Sequence, residues 1–75
     1  MRNLNTKLFV VEVTKGSGEV VYVGRRGWYP KLHDAKFYKK KGMAQKEADW
    51  INGVNDPRAA YAEPVEIHLF DTRDA

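Results

Sequence analysis

The sequence predicts an α+β fold, a small antiparallel sheet of three or four strands packed on one helix. Three observations predict it. Two β-rich runs flank a glycine turn near the amino terminus, one window of helical periodicity follows, and a run alternating with period two comes after it. Strands grouped around a single helix, without β-α-β alternation, belong to α+β rather than α/β architectures.

The first strand is Leu8 to Val13, rich in β-branched and aromatic residues. Lys15, Gly16, Ser17 and Gly18 make a turn whose glycines are free to take positive φ. Glu19 to Val23 returns as the second strand. A four-residue loop pairs Thr14 with Glu19, Val13 with Val20 and Val11 with Tyr22, and cross-strand partners share a face. One face then carries Phe9, Val11, Val13, Val20 and Tyr22. The other carries Leu8, Val10, Val21 and Val23, with Glu12 and Glu19. Both faces are apolar, which predicts central strands or a covered second face. Gly24 to Leu32 is rich in turn residues, Trp28 and Tyr29 start a short third strand, and Ala35 to Tyr38 is another extended piece.

The helix is expected over residues 43–52. Ala44, Ala48 and Ile51 fall on one stripe, flanked by Met43 and Trp50, and Glu47 sits at the stripe's edge as a lysine-paired carboxylate. Asn52 and Gly53 supply a left-handed exit, and Pro57 stops continuation. Residues 53–62 read as a polar loop. Val65, Ile67 and Leu69 then alternate with Glu66, His68 and Phe70 in the last strand, with His68 outward. Pro64 stands at the start of that strand, where a missing amide does least harm. Residues 1–5 and 71–75 are expected to fray.

At 75 residues the chain is expected to form a single domain. It has no cysteine, so no disulfide supports it, and it suits a reducing cytoplasm. Without cysteine, His33 and His68 are too few for a structural zinc site, and no cofactor is expected. The apolar run at Leu8 to Val13 is broken by Glu12 and too short for a signal peptide, and no stretch approaches the ~20 residues of a membrane span, so no membrane partner is expected. A homo-oligomer remains open, because self-association is how a domain this small gains further stability.

Charge is unevenly placed. Residues 24–46 hold Arg25, Arg26, Lys31, Lys36, Lys39, Lys40, Lys41 and Lys46 against Asp34 alone, while residues 47–75 hold seven acids against Arg58 and Arg73. Such asymmetry steers an anionic partner, unless the two halves neutralise each other in the fold. Lys39, Lys40 and Lys41 precede the helix, where the macrodipole is already positive, and no Ser, Thr, Asp or Asn cap is present. Free backbone N–H groups beside lysines attract an anion, whereas a solvated lysine run explains the same residues blandly. Arg25, Arg26, Trp28, Tyr29 and Lys31 interleave cations with rings, which suits single-stranded nucleic acid or a protein hot spot, although small cores also claim such rings.

Catalytic signatures are missing. Gly24 to Gly27 matches a GxxG phosphate-gripping loop but follows a strand rather than a helix. Ser17, the only serine, lies in a turn, and Lys15 to Gly18 lacks phosphate-loop spacing. No enzyme activity and no catalytic residue are expected.

Residues 28–48 resemble small phage and prophage proteins of unknown function, in which a hairpin precedes a D-A-x-F or D-A-x-x-F pattern, charged residues and a helix with spaced alanines. Here the pattern is Asp34, Ala35, Lys36 and Phe37, then Lys39 to Gly42, then Ala44 and Ala48. The loop at 53–62 and the absent cap depart from it. The resemblance implies a β-β-α-β unit and a bacterial or phage context, and it assigns no functional residues. The expected role is a non-catalytic binding module for nucleic acid or an acidic protein surface, through Arg25, Arg26, Trp28, Tyr29, Lys31, Lys39, Lys40 and Lys41. The competing role is a homo-oligomer joined through an uncovered sheet face.

Overall fold

In the computed structural model, which describes residues 5–54 and 56–70, the chain runs β1 (Asn5–Lys15), β2 (Val20–Val23), β3 (Trp28–Tyr29), a 3-10 turn (Leu32–Asp34), α1 (Lys41–Gly53) and β4 (Ala59–Phe70). The strands form one antiparallel sheet in the order β3-β2-β1-β4. The α+β architecture is therefore the one the sequence predicts, with four strands and one helix. Of the ends expected to fray, residues 1–4 and 71–75 lie outside the described residues, and Asn5 is paired with Phe70.

The hairpin register differs from expectation by one residue. Lys15 N–H donates to the Glu19 carbonyl at 2.8 Å, and Gly18 N–H donates to the Lys15 carbonyl at 2.8 Å. The loop is thus Gly16, Ser17 and Gly18. It closes as a turn followed by one left-handed residue, Gly18, at φ 96°. Thr14 pairs with Val20, Val13 with Val21 and Glu12 with Tyr22. A one-residue slip moves every side chain of the returning strand to the other face. Val21 and Val23 therefore join Phe9, Val11 and Val13, while Val20 and Tyr22 join Leu8, Val10 and Glu12.

The first set makes the core. Phe9, Val11, Val13, Val21 and Val23 pack against Tyr38, Ala44, Ala48, Ile51 and Ala62. The alanine stripe of α1 is flush with the sheet because alanine lets the helix backbone approach closely. Met43 and Trp50, expected at the stripe's flanks, are exposed. Gly53 stays inside the helix, and Val54 ends it in the right-handed region, so the left-handed exit is not used. Glu47 is half-buried and forms no salt bridge among the described residues.

β4 begins at Ala59, inside the segment expected to be loop, and Pro64 lies within it. The physical reason is its position at the sheet edge. Phe9 exchanges hydrogen bonds with Tyr38 at 2.8 and 2.7 Å, so its backbone faces away from β4. By alternation the backbones of Val11 and Val13 do the same, and their β4 partners Pro64 and Ala62 turn outward to the open edge. There Pro64 has no amide to lose. Ala62 N–H donates to Asn52 Oδ1 at 2.8 Å, and Asn52 Nδ2 donates to the Ala62 carbonyl at 3.0 Å. The carboxamide of α1 thus stands in for a neighbouring strand, and the exposed edge is blunted at two consecutive outward positions.

Candidate functional site

The basic segment is positioned by the point where β2 leaves β1. After Val23 the chain turns through Gly24, Arg25, Arg26 and Gly27, closed by Gly24 N–H donating to the Gly27 carbonyl at 2.7 Å. Val23 then pairs with Trp28 and Tyr22 with Tyr29. Both arginines stand at the hairpin tip and are exposed. The vacated edge of β1 is taken by the segment after the 3-10 turn. Lys36 N–H donates to the Val23 carbonyl at 2.9 Å, and Tyr38 bridges Phe9. Of the extended piece expected at Ala35 to Tyr38, this single bridge is the sheet-like part. Residues 39–41 then lead into α1. The cations of residues 24–41 therefore border one side of the sheet, from the β2-β3 tip to the start of the helix.

The eight cations of residues 24–46 are all exposed, and none forms an ion pair within 4.0 Å among the described residues. Two acids of the later half are engaged elsewhere. Asp56 receives Arg58 at 2.7 and 3.0 Å through its guanidinium, and its carboxyl is held down to about 2, chiefly by that hydrogen bond. Glu66 contacts His68, and this hydrogen bond is the main cause of its lowered pKa, with Lys7 and Lys41 adding charge from further away. Pairwise neutralisation of the two halves does not occur among the described residues. Lys36 Nζ stands 5.1 Å over the Tyr38 ring. Burial, followed by the charge of Glu47, pushes the Tyr38 phenol upward.

The helix start keeps its irregularity. Lys40 is the cap residue, in extended conformation, with no side-chain hydrogen bond to the helix, and the first turn holds no acid. Lys41 is already helical, so the run straddles the terminus rather than preceding it.

Trp28 and Tyr29, adjacent on a strand, face opposite sides of the sheet. Trp28 packs against the core, and the Arg58 guanidinium lies 4.4 Å over its ring. That pair ties the segment before β4 to β3, and the ring's role is packing. Tyr29 lies over the hairpin. A Cβ on Gly24 would meet its ring at 2.4 Å and the Asp34 carbonyl at 2.8 Å, and one on Gly27 would come within 3.9 Å of its hydroxyl. With Arg25, Arg26, Asp34 and Ala35, Tyr29 lines an open cleft of about 430 Å³. Lys31, exposed, lies beyond the end of β3.

Sequence reasoning missed Phe37 as a ring. Ala35 and Tyr38 are buried, but Phe37 keeps 38% of its surface exposed between Lys36 and Lys39. Its neighbours in the charge run were the available signal. A second neglected ring is Trp50, 63% exposed on the outer side of α1 and one turn from Lys46. No protein-family model matches the chain, and no curated protein or solved structure matches it either. No helix among the described residues is long and apolar enough to cross a membrane.

Proposed function

We propose that this chain is a non-catalytic binding module whose basic border engages single-stranded nucleic acid. One observation carries the reading. Eight exposed cations between Arg25 and Lys46 are left without ion-pair partners among the described residues, although the chain holds enough acids to pair them. Arg25, Arg26, Lys31, Lys39, Lys40 and Lys41 follow phosphates, and Tyr29 and Phe37 offer faces on which bases stack. Rings beside the cations favour splayed single strands over a duplex, whose bases are hidden. A cysteine-free chain fits a cytoplasmic setting. The phage or prophage context implied by residues 28–48 belongs to the same proposal.

Fluorescence anisotropy with labelled single- and double-stranded DNA and RNA at two salt concentrations tests it. Single strands are expected to bind better than duplexes, with affinity falling steeply as salt rises. Replacing Lys39, Lys40 and Lys41 by glutamine is expected to flatten the log–log salt slope by about 2, at roughly 0.7 per lost phosphate contact. Absence of binding at low salt overturns the proposal, and binding of polyglutamate in preference to oligonucleotides redirects it to an acidic protein surface.

A second reading, self-association through the sheet face away from α1, is supported by Leu8, Val65 and Ile67, which keep some surface in solvent beside the fully buried Val10. Glu12 and Glu63, directly opposed on the same face, work against it.

A further inference from the structure

Asp34 is the one acid within residues 24–46, and it lines the same cleft as Arg25, Arg26 and Tyr29. Its carboxylate pairs with neither arginine. Its only ion-pair contact among the described residues is His33 Nε2 at 3.5 Å, and both side chains are substantially exposed. A site built for phosphate alone gains nothing from a carboxylate, which repels the ligand. The cleft instead asks for a ligand with three properties at once: negative charge for the arginines, a flat ring for Tyr29, and hydrogen-bond donors for Asp34.

A nucleotide has the first two. The third separates the bases. A carboxylate accepts two parallel hydrogen bonds from adjacent donors, and guanine presents such a pair at N1–H and its exocyclic amine. Adenine and cytosine each place one amine beside an acceptor nitrogen, which a carboxylate repels. Uracil offers a single imino donor between two carbonyls. We propose that the Arg25–Arg26–Tyr29–Asp34 cleft is a subsite for one guanine nucleotide of the bound strand, with Asp34 reading the base edge, Tyr29 stacking and the arginines holding phosphate. This rests on the nucleic-acid reading above and adds base selectivity to it.

The cleft is preformed. Gly24 lets the Tyr29 ring lie close over the hairpin, and the Asp34 carbonyl stands 2.8 Å from where a Gly24 Cβ would be. The turn Leu32–Asp34 brings the Asp34 backbone back beside the hairpin, and Asp34 joins the lining of the cleft: Asp34 N–H donates to the Lys31 carbonyl at 3.1 Å, and Ala35 N–H to the Leu32 carbonyl at 3.0 Å.

The test compares short single-stranded RNAs that differ at one central base, guanine, inosine, adenine or uracil, binding to the full chain and to Asp34→Asn. The native protein should prefer the guanine strand by roughly tenfold over adenine, with inosine, which lacks the exocyclic amine, in between. Asp34→Asn should bind the adenine and uracil strands at least as well as the native protein, because a repulsive charge is gone, and should lose the guanine preference. Chemical shifts of the Tyr29 ring should move with the guanine strand. Equal binding of all four strands, or a guanine preference that survives Asp34→Asn, overturns the guanine subsite and leaves the general nucleic-acid reading standing. Failure of every strand to bind at low salt removes both.

Discussion

At the scale of single residues, the hairpin between β2 and β3 is decided by Gly24. Its backbone has an ordinary negative φ, so space alone excludes a side chain there. A Cβ would lie 2.4 Å from a ring carbon of Tyr29 and 2.8 Å from the Asp34 carbonyl. The ring can swing, but the carbonyl belongs to the 3-10 turn and cannot move without it. Gly24→Ala is expected to destabilise the chain by about 1–3 kcal/mol and to open the cleft, read as a lower midpoint in urea and altered Tyr29 shifts. An unchanged midpoint contradicts this close packing. Asp56 carries a second residue-scale prediction. Its carboxyl is lowered from 3.8 to about 2 through the hydrogen bonds from Arg58. A group depressed on folding contributes stability that is whole above its unfolded value and is lost as pH falls toward the folded one. The contribution of the Asp56–Arg58 clasp should therefore vanish between pH 3.8 and about 2. In Arg58→Gln the Asp56 carboxyl, followed by NMR, should titrate at higher pH, and the Trp28 ring should lose its covering cation.

At the scale of elements, the start of α1 and the edge of β4 are opposites. The helix start is left locally unfavourable: Lys40 occupies the cap with no side-chain hydrogen bond, and its φ of −123° and ψ of 139° already suit a capping aspartate. Lys40→Asp should raise stability by about 1 kcal/mol while weakening oligonucleotide binding. Changes of the same sign in denaturation and anisotropy would mean that the lysine serves the fold. The edge of β4 is the well-finished element. Asn52 satisfies both backbone groups of Ala62, which is 5% exposed. Asn52→Ala leaves two covered groups unpaired and should cost about 1–3 kcal/mol, with faster aggregation on heating as the edge is uncovered. The extent of β4 was not legible because Pro64 reads as a strand boundary. Only the pairing pattern shows that its nitrogen faces the open edge.

At the scale of the whole molecule, the sheet is longer than its cover. β1 and β4 pair from Asn5 to Lys15, about 36 Å at the usual strand rise, while a 13-residue helix is about 20 Å long. One face is thus only partly covered and the other has no helix on it. On the second face Val10 is fully buried, with Val65 as its cross-strand partner, while Leu8, Val65 and Ile67 keep some surface in solvent. Glu12 and Glu63 sit directly across from each other at its middle, a like-charge pair that costs roughly 0.2–1 kcal/mol and opposes burial by a second copy. In sedimentation at high concentration, the Glu12→Gln/Glu63→Gln double variant should self-associate more strongly than the native chain. Monomers in both would end the self-association reading.

Composition and periodicity alone determined the α+β class, the single helix with its Ala44, Ala48 and Ile51 stripe, the short strand at Trp28 and Tyr29, and the concentration of cations in residues 24–46. These are local properties, set by spacing along the chain. The tertiary structure decided which faces Val20 to Val23 present, because a three-residue loop with Gly18 at positive φ shifts the register by one and no local pattern separates two equally apolar faces. It also decided that Trp28 packs under Arg58 while Tyr29 joins Arg25, Arg26 and Asp34 in a cleft. That separation follows from strand alternation combined with distant packing, and residues far apart in sequence meet only when the chain folds.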